Sequence, residues 1–127
     1  MTVSIPAIVF TILILLTIMF QAALALGAPW GACAMGGKYP GKFPAPLRWA
    51  CLMQIAILAL LALIVLSKAE MILPGWREIA DWAIWVVVGF GALSTFLNLI
   101  TRSVWERRIW APVAALILIS SLMVAVT

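Results

Sequence analysis

The 127-residue chain is 67% hydrophobic and only 9% charged, with no histidine, two cysteines and a formal net charge of +4. A soluble domain is about one-quarter charged, so a dry core inside a wet surface is excluded, and the missing histidines remove the usual transition-metal ligand sets. The excess of Lys and Arg requires no nucleic acid, because cationic loops beside anionic lipid account for it.

Four stretches are free of Asp, Glu, Lys and Arg: Ile5–Leu26, Trp49–Leu66, Trp82–Ile100 and Ile109–Val126. At about 1.5 Å of rise per residue, each can cross roughly 30 Å of hydrocarbon. Uniformly apolar runs do not suit a barrel, whose strands alternate. The predicted fold class is all-α: a polytopic transmembrane four-helix bundle forming one domain over residues 1–127, with helices near 5–26, 46–67, 76–101 and 104–126.

Helix 1 is expected to begin near Pro6, which suits a first turn. Ala23-Leu24-Ala25 imitates a signal-peptide cleavage site, but no Lys or Arg precedes the run and the run exceeds the usual signal core, so a retained helix is predicted. Thr17 and Gln21, four apart, share one of its faces. Gly27 suits a left-handed stop and Pro29 prevents resumption.

The first connection mixes Gly27, Gly31, Gly36, Gly37 and Gly41 with Pro29, Pro40, Pro44 and Pro46. That composition predicts successive tight turns. Trp30, Met35, Tyr39 and Phe43 lie among them, and four such side chains predict a packed cap rather than a flexible linker. The run Gly27-Ala28-Pro29-Trp30-Gly31, then Gly36-Gly37-Lys38-Tyr39-Pro40-Gly41-Lys42, Pro44 and Arg48, with Leu97-Asn98-Leu99 and Trp105-Glu106-Arg107 further on, resembles a group of small bacterial four-span membrane proteins described only as uncharacterised. The resemblance implies the fold and a bacterial inner membrane, and it carries over no activity and no catalytic residue.

Helix 2 is expected to start at Pro46, with Arg48 and Trp49 at the interface and Gln54 as its one strongly polar interior residue. In helix 3, Arg77 and Asp81 are spaced for an ion pair, and Gly91, Ser94, Thr95, Asn98 and Arg102 recur at helical spacing. Small and hydroxylic residues on one stripe predict close helix approach and interhelical hydrogen bonds. Ser103-Val104-Trp105-Glu106 matches a reciprocal capping box for helix 4, inside which Pro112 predicts a kink.

Lys38, Lys42 and Arg48 in the first connection and Arg102, Arg107 and Arg108 in the third outweigh Lys68 and Arg77 in the second. The positive-inside bias therefore puts connections one and three in the cytoplasm and both termini outside. Gln21, Gln54, Ser94 and Asn98 then fall about 3–10 Å inside the cytoplasmic face, forming a polar belt beneath the first connection.

Two readings fit the belt: amides that hold helices together, or a cytoplasm-facing pocket for a small polar or anionic ligand. The candidate ligand-binding residues are Gln21, Trp30, Arg48, Gln54, Ser94, Asn98 and Arg102. Cys33 and Cys51 are not in a C-x-x-C arrangement and read as reduced, incidental thiols. With no nucleophile–base set, no metal cluster and no charge inside a span, the sequence points to a non-enzymatic accessory or ligand-binding module without a cofactor. The alternative is an oligomeric channel or carrier for a small polar or anionic solute. Glu106, the one conceivable acid/base residue, is expected to be a helix cap. The expected partners are the lipid bilayer and a second copy or another membrane protein, with no nucleic acid.

Overall fold

The computed structural model describes residues 4–127; the N-terminus, expected on the side opposite the cytoplasm, lies beyond the described residues. Four long helices make up the fold: α1 (Ile5–Ala25), α2 (Ala45–Lys68), α3 (Arg77–Ile100) and α4 (Ala111–Ala125), the last entered through a π-helical turn at Glu106–Trp110. Each is long and apolar enough to cross a membrane once the turns leading into α3 and α4 are included. This is a polytopic membrane protein.

Local chemistry sets the helix ends. Ser4 Oγ accepts from the Ala7 N–H at 3.2 Å and Pro6 occupies the first turn of α1, so two of the otherwise unpaired N-terminal positions are resolved. At the other end Gly27 adopts φ 100°, its N–H donates to the Leu24 carbonyl, and the Ala28 N–H donates to the Ala23 carbonyl. That pair of bonds is a Schellman closure, which needs the left-handed conformation glycine adopts without strain.

Helix α2 ends the same way, with a non-glycine in the left-handed position. Glu70 has φ 63°, and the Glu70 and Met71 N–H groups return to Ser67 and Leu66. The Glu70 carboxylate pairs with Arg77, and Asp81 accepts from both Lys68 and Arg77 at 3.1 Å. These contacts are largely exposed and contribute little individually. The buried Ser67 hydroxyl donates to the Leu73 carbonyl at 3.1 Å and fastens the turn from within.

Helices adjacent in sequence pack together and α4 closes against α1, giving an up-down-up-down ring. Phe10 and Ile14 of α1, Leu58 and Val65 of α2, Ile84 and Val87 of α3, and Ile117 and Val124 of α4 fill one apolar cluster. A second cluster joins Leu24 of α1, Phe43 of the first connection and Cys51 of α2. Helices α3 and α4 approach closely at Gly91, where a Cβ would stand 3.0 Å from Leu118 Cα. The small residue on the stripe does permit close approach.

The structure corrects several details of the sequence reading. The hydrogen bonds of the α3 stripe do not cross between helices: Thr95 Oγ1 donates to the Gly91 carbonyl and Asn98 Nδ2 to the Ser94 carbonyl, both at 2.7 Å. A carbonyl one turn back is always within reach, whereas a partner on another helix must be supplied. In the first connection Phe43 is buried and Tyr39 half-buried against its edge, but Trp30 and Met35 remain about half exposed (50% and 53%). An indole stacked on one side and open on the other suits a membrane–water boundary.

Pro112 lies inside the helix that runs on from Val104, as expected, and the irregularity beside it is a π turn. The proline falls in the first turn of regular α4, just after the π turn, whose Ala111 N–H reaches back five residues to the Glu106 carbonyl. The widened turn absorbs the missing proline donor before the regular helix begins.

Candidate functional site

The first connection is a built structure. Two short 3₁₀ turns, Gly31–Cys33 and Met35–Gly37, fold it back over the bundle. Gly31 is buried where the strand of chain through Tyr39 to Gly41 passes over it; its N–H donates to the Gly41 carbonyl at 2.9 Å, and a Cβ would collide with the backbone oxygens of both Tyr39 and Gly41. Only glycine permits this approach.

Two polar contacts fasten the cap to the start of helix 4. Ser103 Oγ accepts from the Glu106 N–H at 3.2 Å, as a capping residue should, and donates to the Ala32 carbonyl at 2.6 Å. The reciprocal half of the expected capping box is absent among the described bonds. Glu106 turns away instead: its Oε1 accepts from the Gly36 N–H at 2.5 Å and from Thr101 Oγ1 at 2.8 Å, while Thr101 Oγ1 itself accepts from the Ser103 N–H. Thr101 has taken the serine donor, which frees the carboxylate to bind a segment 70 residues away in sequence.

Beneath the cap, between the two apolar clusters, lies a cavity of about 330 Å³. Gln21 from α1, Gln54 from α2, and Ser94 and Asn98 from α3 all line it. Phe20, Phe90 and Trp110 supply aromatic walls; Cys33, Met35 and Phe43 of the cap close one side. A space of this size is at the lower end of the range that holds small organic ligands, roughly 300–1,000 Å³.

The other candidate residues lie elsewhere. Arg48 Nε donates to the Ala25 carbonyl at 2.8 Å, completing the C-terminus of α1. Arg102 is exposed, in a second pocket with Lys38 and Thr101 that shares Met35 and Glu106 with the cavity. Trp30 stacks on Phe20 with ring centres 6.4 Å apart and planes 6° from parallel, and it is not among the cavity-lining residues. The cavity lining therefore includes no Lys or Arg among the described residues; its one carboxylate is Glu106.

The polar groups in the cavity are under-used. Thr17 Oγ1 donates to the Leu13 carbonyl at 2.9 Å, but neither glutamine amide has a hydrogen-bond partner among the described residues. Trp110 Nε1 is buried with no acceptor, although its ring packs on Phe20 at a centroid distance of 4.7 Å. A buried donor without a partner costs on the order of 1–3 kcal/mol.

Scans against protein-family models, curated proteins and solved structures find no match to this chain. The structure shares with small four-span membrane proteins its architecture of four long apolar helices.

Trp110, Glu106 and Cys33 line the cavity and are not among the ligand-binding candidates that the sequence offers. Residues 110, 113, 114 and 117 recur at helical spacing and all line the cavity. That periodicity was the available signal. Glu106 gave no such signal, because only the tertiary contact to Gly36 distinguishes it from an ordinary cap.

Proposed function

We propose that this protein is a ligand-binding or accessory module of the bacterial inner membrane, holding a small amphipathic molecule in the cavity beneath its first connection. The small uncharacterised four-span proteins it resembles in sequence are the group to which we assign it. The positive-inside bias orients the cap toward the cytoplasm, and both termini then face outward. No reaction is assigned to the site.

The observation that carries this reading is the convergence of Gln21, Gln54, Ser94 and Asn98 from three helices on one cavity walled largely by apolar side chains. Amides that served as glue between helices would bond to one another or to facing backbone. These line a space large enough for a guest. A bound molecule supplying hydrogen-bonding atoms can pair with the glutamine amides, which have no partner among the described residues.

Native mass spectrometry of the protein released from membranes tests the proposal. The wild-type protein is expected to retain a discrete small-molecule mass that a Gln21→Leu, Gln54→Leu double variant of equal thermal stability loses. If both carry only the same phospholipid adducts, the pocket reading fails. Saturable turnover of a solute in liposomes would replace a binding role with transport.

A further inference from the structure

A second pocket lies on the outer side of the cap and differs from the cavity in charge. Lys38 of the first connection and Arg102 of the third line it together with Leu97, Ile100 and Thr101. Both cationic side chains are exposed, so an incoming ligand can reach them. Among the described residues neither takes part in an ion pair or a side-chain hydrogen bond; Lys38 Nζ has only the Tyr39 ring, 5.8 Å from its centre.

One carboxylate shares the pocket, and its charge is outweighed. Glu106 Oε1 accepts from the Gly36 N–H and the Thr101 hydroxyl. Arg107 stands at the same edge, its Nη1 donating to the Thr101 carbonyl. Three cations therefore surround one carboxylate, and the pocket attracts an anion. The Glu106 bond to Gly36 also holds the first connection against the third, which keeps Lys38 and Arg102 in one groove although they are far apart in sequence.

The apolar side of the groove decides which anion fits. Leu97 and Ile100, three apart and so on one face of α3, are 51% and 60% exposed. On a helix that spans the membrane, such a face meets acyl chains. Helix α3 ends at Ile100, so the two cations lie just beyond its apolar span, at the level of the lipid headgroups. The exposed Trp105 ring marks the same boundary. The groove encloses about 670 Å³, far more than a free phosphate needs and within the roughly 300–1,000 Å³ that suits organic ligands.

We propose that this groove is a binding site for an anionic phospholipid, its phosphodiester held between Lys38 and Arg102 and an acyl chain lying on Leu97 and Ile100. Arginine presents paired donors to phosphate oxygens and lysine adds a point charge. The site is separate from the cavity and does not depend on what the cavity holds.

Native mass spectrometry of the full-length protein, titrated in neutral detergent with phosphatidylglycerol or phosphatidylcholine of the same chains, tests it. One phosphatidylglycerol per chain is expected to be retained in preference to phosphatidylcholine. A Lys38→Gln, Arg102→Gln double variant should weaken phosphatidylglycerol binding about thirtyfold, each interfacial cation contributing about fivefold. Restoring charge with Arg102→Lys in place of Arg102→Gln should recover part of the loss, which separates lost charge from poor folding. Arg108→Gln, which removes an exposed cation that does not line the groove, should leave the preference intact, as should the Gln21→Leu, Gln54→Leu double variant of the cavity. Equal retention of the two lipids would overturn the proposal. An Arg108→Gln loss as large as that of the double variant would also overturn it, by showing diffuse attraction in place of a site. Displacement of the lipid by millimolar inorganic phosphate would reassign the groove to a free anion.

Discussion

Glu106 should control access to the cavity, and the effect can be sized. Its carboxylate accepts one bond from the cap, at the Gly36 N–H, and one from Thr101, which in turn accepts from the Ser103 N–H. Hydrogen bonds to a charged group contribute about 1.5–3 kcal/mol each, but the exposed Gly36 N–H can exchange its partner for water. A net loss of about 1.4 kcal/mol on truncation is a reasonable scale, and it corresponds to a tenfold rise in the population of the lifted cap.

Cys51 reports that opening, because it is 5% exposed and lies in the apolar cluster with Phe43 of the cap. In a Cys33→Ser background, alkylation of Cys51 by N-ethylmaleimide is expected to run about tenfold faster in Glu106→Ala than in the parent, while Glu106→Gln, which keeps an acceptor oxygen, falls between them. A Glu106→Ala rate equal to the parent's would show that the carboxylate does not hold the cap.

Other substitutions separate the cap, the helix crossing and the pocket. Gly31→Ala forces a Cβ into the backbone oxygens of Tyr39 and Gly41, so the cap should lose its fold; protease cleavage between Lys38 and Lys42 should accelerate sharply, whereas an undisturbed cleavage rate would contradict the close approach. Gly91→Val should cost about 1–3 kcal/mol by pushing α3 off Leu118, whereas Gly89→Ala, with nothing within 4 Å of the added carbon, should be neutral or stabilising by up to about 1 kcal/mol; thermal unfolding in lipid should rank Gly89→Ala above wild type or level with it, and Gly91→Val below. Arg48→Gln should lower thermal stability by about 1 kcal/mol through loss of the bond to the Ala25 carbonyl and leave ligand affinity unchanged; a large affinity loss would return Arg48 to the pocket.

The bundle was legible because hydrocarbon imposes a coarse demand that any sufficiently long uncharged run can meet. The end of α1 was legible for a related reason: a glycine followed by a proline two residues later leaves few ways to stop a helix, and Gly27 adopts the left-handed geometry that such a stop uses. Hydrogen-bond direction was not legible. Thr95 and Asn98 share a stripe with Gly91, but sequence spacing fixes only the face a residue occupies, and carbonyls of the same helix compete for the donor without ordering cost. The arginines misled the site reading similarly, since their long side chains let Arg48 bond a helix end and Arg102 stay exposed, while only their depth along the chain could be estimated.

Trp110 shows how a local backbone choice reaches the site. Proline at 112 cannot supply a helical N–H, and the chain meets this with a π turn from Glu106 to Trp110 just before regular α4. A π turn inserts an extra residue into the register and rotates the side chains before it relative to the helix that follows. Glu106 and Trp110 thereby line one cavity, the first holding the cap and the second forming part of its aromatic wall. Replacing Pro112 with Ala restores the missing N–H and allows an ordinary helix through this segment. If the π turn is what aims Trp110, Pro112→Ala should raise thermal stability and weaken ligand binding together. Stability that rises with affinity unchanged would mean that packing on Phe20 alone orients the indole.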